Sequence, residues 1–447
     1  MSDEKMVNIV SLAKRRGFIF PSGEIYGGSN GYWDYGPLGA QLKKNIRDVW
    51  WRDMVTCAPI HPHTRKPLQV VPFEGSIITK PEVLIASGHV DKFKDTFYHC
   101  LSCNADVRDD EIERGMCPKC SAEITTEPRE YNLMFETESG VIEGNKSLAY
   151  LRPETAQGIF CNFANISNTC RVKLPFGISQ VGKAFRNEVT PRNYTFRSRE
   201  FEQMEMEWFF NPDDSLTPEQ WHEFWTDIRL RWWESLGIDP DNLSIEKHEK
   251  DKLAHYAIGG AGVTDIMYQF PFGLGEVEGI AHRTDYDLRQ HAEASGKSLD
   301  FFDQPNEKRL YPHVIEPSAG LDRAVLAVLC DAYTQDESRA CKEYMAIHPK
   351  IAPIKVAFFP LVKKEGMPQI AETLYNHYRR RYDCVYEEAG SIGKRYARMD
   401  EIGTPFCVTV DGETVINDTV TVRDRDSGEQ QRMDLQSLEG FLAYSLW

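Results

Sequence analysis

The chain has 447 residues and a formal charge of −16, with 41% hydrophobic and 27% charged residues. That length allows two or three domains with buried cores, and the longest apolar runs, "AVLAVL" (324–329) and "VAFFPLV" (356–362), fall far short of a bilayer span, so no membrane partner is expected. The negative balance argues against indiscriminate nucleic-acid binding but leaves room for a local basic track.

In chain order, "MSDEKMVNIVSLAKRRG" lacks the apolar core and cleavage site of a signal peptide and reads as a helix of a cytosolic protein. Seven cysteines (57, 161, 170, 330, 341, 384 and 407) are scattered singly, as reduced thiols of a cytoplasmic protein would be. "GPLGAQLKKNIRDVWWRDMV" (36–55) has helical periodicity. The remaining cysteines form two pairs, Cys100-x2-Cys103 and Cys117-x2-Cys120, thirteen residues apart. Two such knuckles bring four thiolates around one zinc, and four sulfur ligands leave no open position, so the site is expected to be structural.

Strands are expected around "ISQVGKAFR" (178–186) and "REFEQMEMEWFF" (199–210), joined by a long loop as antiparallel neighbours are, with a helix over "TPEQWHEFWTDIRLRWWESLG" (217–237). This predicts an α+β arrangement, an antiparallel sheet with helices on its faces. "HEKDKLAHY" (248–256) begins like a zinc-protease helix, but Lys252 stands where the second ligand belongs, and "GLGEVEG" (273–279) has one residue too many for GxGxxG and runs into a strand pattern. A boundary is predicted near residue 350, where "IHPKIAPIKVAFFPLV" carries three prolines. Beyond it come strand "IKVAFFPLV", helix "PQIAETLYNHYRRRY", strand "CVYEE", helix "SIGKRYARMDEIG", strand "PFCVTV", a "DG" turn, "TVTVRDR" and a closing helix "LQSLEGFLAYSLW". Alternating strands and helices predict a compact α/β domain. Its 13 basic and 15 acidic residues nearly balance.

The stretch "FRNEVTPRNYTFRSREF" (185–201) places Arg186, Arg192, Arg197 and Arg199 within fourteen residues, with Glu188 and Glu200 among them. Strand alternation puts Met204, Met206, Trp208 and Phe210 on one face as core, and Phe201, Gln203, Glu205 and Glu207 on the other, toward solvent or a cleft. A surface alternating Arg and Glu can bind a molecule anionic at one end and cationic at the other, such as a nucleoside triphosphate beside an amino acid. A cross-strand ladder of ion pairs would give the same spacing.

"FRNEVTPRNYTFRSREFEQMEMEWF" resembles motif 2 of the class II aminoacyl-tRNA synthetases, and "EPSAGLDRAVLAVL" (316–329) resembles their motif 3. Helix 36–55 and the segment around Pro81 in "ITKPEVLIASGHVDKF" are similar to motif 1, which builds the dimer interface in that family. With "RPETAQGIF" (152–160), the cysteine insertion and the C-terminal α/β unit, the resemblance is to the homodimeric glycyl-tRNA synthetase family over essentially the whole chain. It implies a class II catalytic domain over 1–349 (motif 1 about 36–85, motif 2 about 180–210, motif 3 about 315–330), a four-cysteine zinc-ribbon-like insertion over about 92–130, and an anticodon-binding domain over 350–447. The implied reaction is ATP-dependent attachment of glycine to tRNA(Gly) through glycyl-adenylate, with Mg²⁺, by a cytoplasmic homodimer.

Residue by residue, the resemblance assigns Arg186 to the α-phosphate and Arg323 to the γ-phosphate end of a bent ATP, these two being the catalytic residues. It assigns Asn187, Glu188, Phe196, Arg197, Ser198, Arg199, Glu200, Phe201, Glu276, Val277, Gly320, Leu321 and Asp322 to the ATP site. The ring under the adenine is Phe201, and triphosphate contacts come from Arg197 or Arg199. Glycine is assigned Arg108, Glu154, Phe201, Glu202, Gln203, Met204, Glu205, Glu316, Pro317, Ser318, Ala319 and Gly320, with Glu154, Glu205, Glu316 and Ser318 forming a pocket too small for a side chain. No general base is implied, because the attacking carboxylate is already a nucleophile. In the C-terminal part, Arg379 to Arg381, Lys394, Arg395 and Arg398 lie near Tyr378, Tyr382 and Tyr396, a combination suited to single-stranded RNA. A solvated helix face over core tyrosines explains them equally well.

Overall fold

The computed structural model describes residues 2–109, 112, 114–142, 146–251, 253–304 and 307–446. Its main sheet has seven strands, β1 (Val70–Pro72), β2 (Phe176–Phe185), β3 (Glu200–Phe210), β4 (Leu243–Lys247), β5 (Val263–Phe270), β6 (Gly273–Thr284) and β7 (His313–Gly320). They lie in the order β4-β5-β6-β7-β3-β2-β1, and every pair is antiparallel except β1 with β2.

The alternation along β3 decides how this sheet is covered. Met204, Met206, Trp208 and Phe210 are fully buried and pack with α1 (Pro37–Trp51), α3 (Pro218–Ser235) and α5 (Leu321–Ala332). On the opposite face, α2 (Ala156–Cys170) and α4 (Tyr286–Ser295) cover one end, where Phe160, Phe163, Phe209 and Leu288 form a second cluster. The rest of that face stays open, and of the acidic residues of β3 Glu205 lines the opening, beside Gln203, while Glu207 is buried behind it.

Local chemistry sets the helix ends. Pro37 occupies the first turn of α1, and Gly39 lies so close to Phe18 that a Cβ would come within 1.8 Å of its carbonyl oxygen. The expected helix 36–55 is regular only to Trp51 and then widens into a π-type turn over Arg52–Thr56. Thr217 and Gln220 form a reciprocal capping box at the start of α3, with Pro218 in its first turn.

The C-terminal sheet contains β8 (Val356–Pro360), β9 (Cys384–Tyr386), β10 (Phe406–Val410), β11 (Thr419–Asp424) and β12 (Gln430–Asp434), in the order β9-β8-β10-β11-β12. β9, β8 and β10 are parallel, joined by α6 (Met367–Tyr378) and α7 (Ile392–Glu401), and α8 (Leu435–Ser445) closes the unit. The "DG" expected as a turn instead starts a short helix, Gly412–Asn417, because the Asp411 carboxylate accepts the Thr414 backbone N–H as an N-cap. β12 pairs with β11 and has no counterpart in the sequence reading. Two of the RNA candidates are structural. Arg395 is buried and donates to the carbonyls of Pro360, Glu387 and Leu361, while the buried Tyr378 ring stacks on Phe358. Lys252 and Trp447 lie outside the described residues. Among the described residues, no helix is long and apolar enough to cross a membrane.

Candidate active site

The open part of the sheet face is a cleft with two chemically different ends. Its outer end is made by the loop between β2 and β3 and by the start of α5, with Arg186, Glu188, Phe196, Arg197, Ser198, Phe201 and Arg323 along the wall. Gln203, Glu205, Glu154, Glu316 and Ser318 line the inner end, while Glu276, Gly320 and Asp322 complete the side.

Loop contacts hold the arginines in place. The Arg186 Nε donates to the Pro153 carbonyl at 3.1 Å, and its guanidinium lies 5.3 Å from the Phe201 ring and 5.4 Å from Phe93. Arg197 donates to Glu188 at 2.6 Å and pairs with Asp95 at 3.4 Å. Arg323 lies over the Phe196 ring at 4.5 Å and donates to the carbonyls of Glu276 and Phe196. Phe196 comes this close to β6 because Gly275 has no side chain, since a Cβ there would meet its ring at 2.8 Å.

At the inner end, Glu205 accepts from Ser318 at 2.7 Å and from Thr155, while Glu316 accepts from Arg283. Arg283 is buried; it also grips Asp287 through two hydrogen bonds of 2.8 and 3.0 Å and lies 3.8 Å from Glu154. Burial pushes the Glu205 and Glu316 carboxyls above their ordinary range, Glu316 strongly. Glu154 behaves differently. Burial raises it, but His89 at 3.3 Å and Arg283 outweigh that and hold it below the usual carboxylate range.

Several expected residues lie elsewhere. Met204, Val277, Ala319 and Leu321 point into the core, and Pro317 is buried within β7. Asn187 is exposed outside the cleft. Arg199 braces the loop by donating to the Glu188 and Asn30 carbonyls, so of the two loop arginines it is Arg197 that lines the cleft. Glu188 orders the loop, but Glu200 pairs with Lys183 across the hairpin, and Glu202 pairs with Arg47 and Lys43 away from the opening. The Asp322 carboxylate is taken up by Tyr35, Lys43 and the Glu202 backbone N–H, which fasten motif 3 to α1 and β3. Phe201, expected beneath a base, carries Arg186 over its ring at 5.3 Å, whereas Arg323 lies closer over the Phe196 ring, at 4.5 Å.

Arg283, Thr155, Asp287, His89 and Asp95 were missed. Arg283 had a readable signal, because strand alternation from Gly279 and Ala281 puts it on the cleft side, and Asp287 follows at i+4. The others depend on tertiary contacts alone.

The four paired cysteines converge. Their sulfurs all lie within 4.8 Å of one another, with Cys100–Cys120 at 3.6 Å and Cys103–Cys117 at 3.8 Å. A tetrahedral zinc with bonds of about 2.3 Å separates its sulfurs by about 3.8 Å, so the cluster fits that ion. The same insertion reaches the cleft, where Asp95 accepts from Arg108 at 2.9 Å beside Arg197, and Arg108 lines an adjoining cavity with Arg186, Arg197 and Arg323.

Two family models match, the tRNA synthetase class II core domain (G, H, P, S and T) over residues 135–332 and an anticodon binding domain over 355–444. Fold, cleft and models together define a class II aminoacyl-tRNA synthetase. The glycine--tRNA ligase of Streptomyces coelicolor is 45% identical over 472 residues, covering 100% of this chain and 99% of its own. That of Cutibacterium acnes is 44% identical, covering 100% and 97%, and that of Borreliella burgdorferi is 46% identical, covering 98% and 97%. The chain belongs to the glycine--tRNA ligase family.

Proposed function

We propose that this cleft carries out both halves of the glycine--tRNA ligase reaction, with the residues in the following roles. ATP lies along the outer end, with its α-phosphate at Arg186, its other phosphates toward Arg197, and its base against the wall that Phe196 and Arg323 form together, so that Arg323 serves the base rather than the γ-phosphate end first expected for it. The close Phe196–Arg323 pairing supports that choice over Phe201. The Glu276 carbonyl, already an acceptor for Arg323, faces the same segment. Mg²⁺, which the class uses with ATP, supplies charge neutralisation on the triphosphate, and the 43% exposed Glu276 carboxylate is an oxygen ligand of the kind it takes.

Glycine binds with its ammonium group among Glu154, Glu205, Glu316 and the Ser318 hydroxyl and its carboxylate toward Arg186. A carboxylate oxygen attacks the α-phosphorus, the bond to the bridging oxygen breaks, and pyrophosphate leaves. In the second half, the terminal ribose hydroxyl of tRNA(Gly) attacks the glycyl carbonyl and AMP departs. The protein contributes position and fixed positive charge, the main resources for in-line transfer between anions. Larger amino acids are excluded by lack of room, which needs no separate editing site.

Zinc at Cys100, Cys103, Cys117 and Cys120 would be structural, setting the hairpin that carries Asp95 and Arg108. The chain is divided near residue 350 into catalytic and anticodon-binding units, and it works as a cytoplasmic homodimer. Ile78 and Ile85, which flank Pro81, are 59% and 55% exposed, as residues covered by a second copy would be.

The observation that carries this reading is the pairing of an arginine-lined end with an acid-lined end in one cleft. The test is amino-acid-dependent exchange of pyrophosphate into ATP with glycine, alanine, serine, proline and threonine. Exchange with glycine alone, lost in Arg186→Ala, is the expected result. Exchange with another amino acid would overturn the pocket assignment, and none with any would remove the chemistry altogether.

A further inference from the structure

Behind the inner end of the cleft lies a fourth glutamate, one that the reaction does not use. Glu207 is fully buried, and neither carboxyl oxygen has a hydrogen-bond partner. It shares the β3 face of Glu205, and the register that pairs Glu205 with Ser318 and Trp208 with Ile315 sets it opposite Glu316. Carboxyl oxygens of Glu205, Glu207 and Glu316 all lie within 4.8 Å of one another. The charged groups facing Glu207 are Glu205 on its own strand, Glu316 on β7, Arg283 on β6 and Asp287 on α4. Arg283 is the one cation among them, and its hydrogen bonds already go to Asp287 and Glu316. Both Glu205 oxygens accept from hydroxyls, whereas one Glu316 oxygen has no protein donor among the described residues.

An ionised carboxylate in that place would be dry, donorless and directly across from another carboxylate, which is the most costly arrangement available to it. A protonated acid relieves that cost, because its O–H can turn to the Glu316 carboxyl, whose oxygen lies within 4.8 Å across the strand pair. We propose that Glu207 is a neutral carboxylic acid that donates its proton to Glu316, and so acts as a positioning residue for the carboxylates that hold the substrate ammonium. Burial and the neighbouring glutamates push the Glu207 carboxyl well above its ordinary range, in keeping with this. The proton keeps three glutamates together without a metal and aims Glu316 at the pocket. The role rests on the glycine-binding reading above; the protonation state does not.

The test uses the full-length protein, with infrared difference spectra of wild type minus Glu207→Gln in D₂O at pH 8, and glycine KM and kcat from pyrophosphate exchange. Carboxyls that Glu207→Gln leaves unchanged cancel in the difference, so the band reports on the proton shared within the Glu207 cluster. The expected result is a protonated-carboxyl band that Glu207→Gln removes. Glu207→Leu, which deletes the donor, should raise glycine KM about tenfold with a smaller change in kcat, and Glu207→Gln, which keeps a donor in the same shape, should recover most of that loss. Absence of the band, failure of Glu207→Gln to fold, a KM defect in Glu207→Gln as large as in Glu207→Leu, or a divalent metal retained at Glu207 would each overturn the proposal. A wild type that shows the band but no exchange with glycine would refute the glycine reading and the positioning role while leaving the neutral acid standing.

Discussion

At the outer end of the cleft, Arg186, Arg197 and Phe196 come from one loop and Arg323 from the helix start it packs against; Arg186 and Arg323 are steadied by backbone carbonyls and the faces of aromatic rings, and Arg197 by Glu188 and Asp95. At the inner end, Glu154 precedes α2, Glu205 lies on β3, Arg283 on β6 and Glu316 on β7, and each is held by another side chain. One end is a local motif that offers charge to an anion. The other is an ion cluster assembled by strand register, with more carboxylates than cations, and so is built to receive a positive group. The difference means that damage to the inner end should be felt as lost stability, and damage to the outer end as lost chemistry.

The sharpest break would come from Arg283→Leu. It strands Glu316 and Asp287 without their cation, and a loss of about 3–5 kcal/mol in stability is expected from chemical denaturation. Arg186→Ala should leave the melting temperature nearly unchanged but lower the exchange rate about 10²–10³-fold. Glu154→Gln probes the inner end by pH. The Glu154 carboxyl titrates lower in the folded chain than in the unfolded one, so its contribution is complete above about pH 4.3 and disappears as pH falls through the lower folded value. The stability gap between wild type and Glu154→Gln, about 1–2 kcal/mol at pH 7, should therefore close in acid, as followed by thermal melts. With zinc at the four cysteines, as proposed, a chelator should reduce exchange by about tenfold through ATP rather than glycine. A zinc-free preparation with full activity would separate the insertion from the outer end. Asp95→Asn, which loosens Arg108 and Arg197 without touching the cysteines, should give the smallest effect, about threefold in KM for ATP.

The same contrast explains what could be read from the sequence. The outer end comes from two short stretches, each contiguous, so "FRNE" and "GLDR" marked it, and spacing alone marked the cysteine cluster. Alternation along β3 separated Met204 and Met206 from Glu205 and Glu207 before any packing was known. The inner end was legible only in part, because Arg283 acquires its partners from strand order and helix placement. Asp322 and Glu200 show the opposite limit. Both sit within recognisable motifs, yet their carboxylates are occupied by Lys43 and Lys183, which no local pattern revealed. The "DG" after β10 was misread because Asp caps helices as readily as it opens turns.

The central claim is that the two ends bind different parts of the substrates, and separate binding titrations of ATP and of glycine to wild type, Arg186→Ala and Glu205→Gln test it most directly. The account predicts that Arg186→Ala weakens ATP by about tenfold or more while moving glycine far less, and that Glu205→Gln does the reverse. If Glu205→Gln weakened ATP as much as glycine, or bound glycine normally, the division of the cleft into a phosphate end and an ammonium end would be wrong.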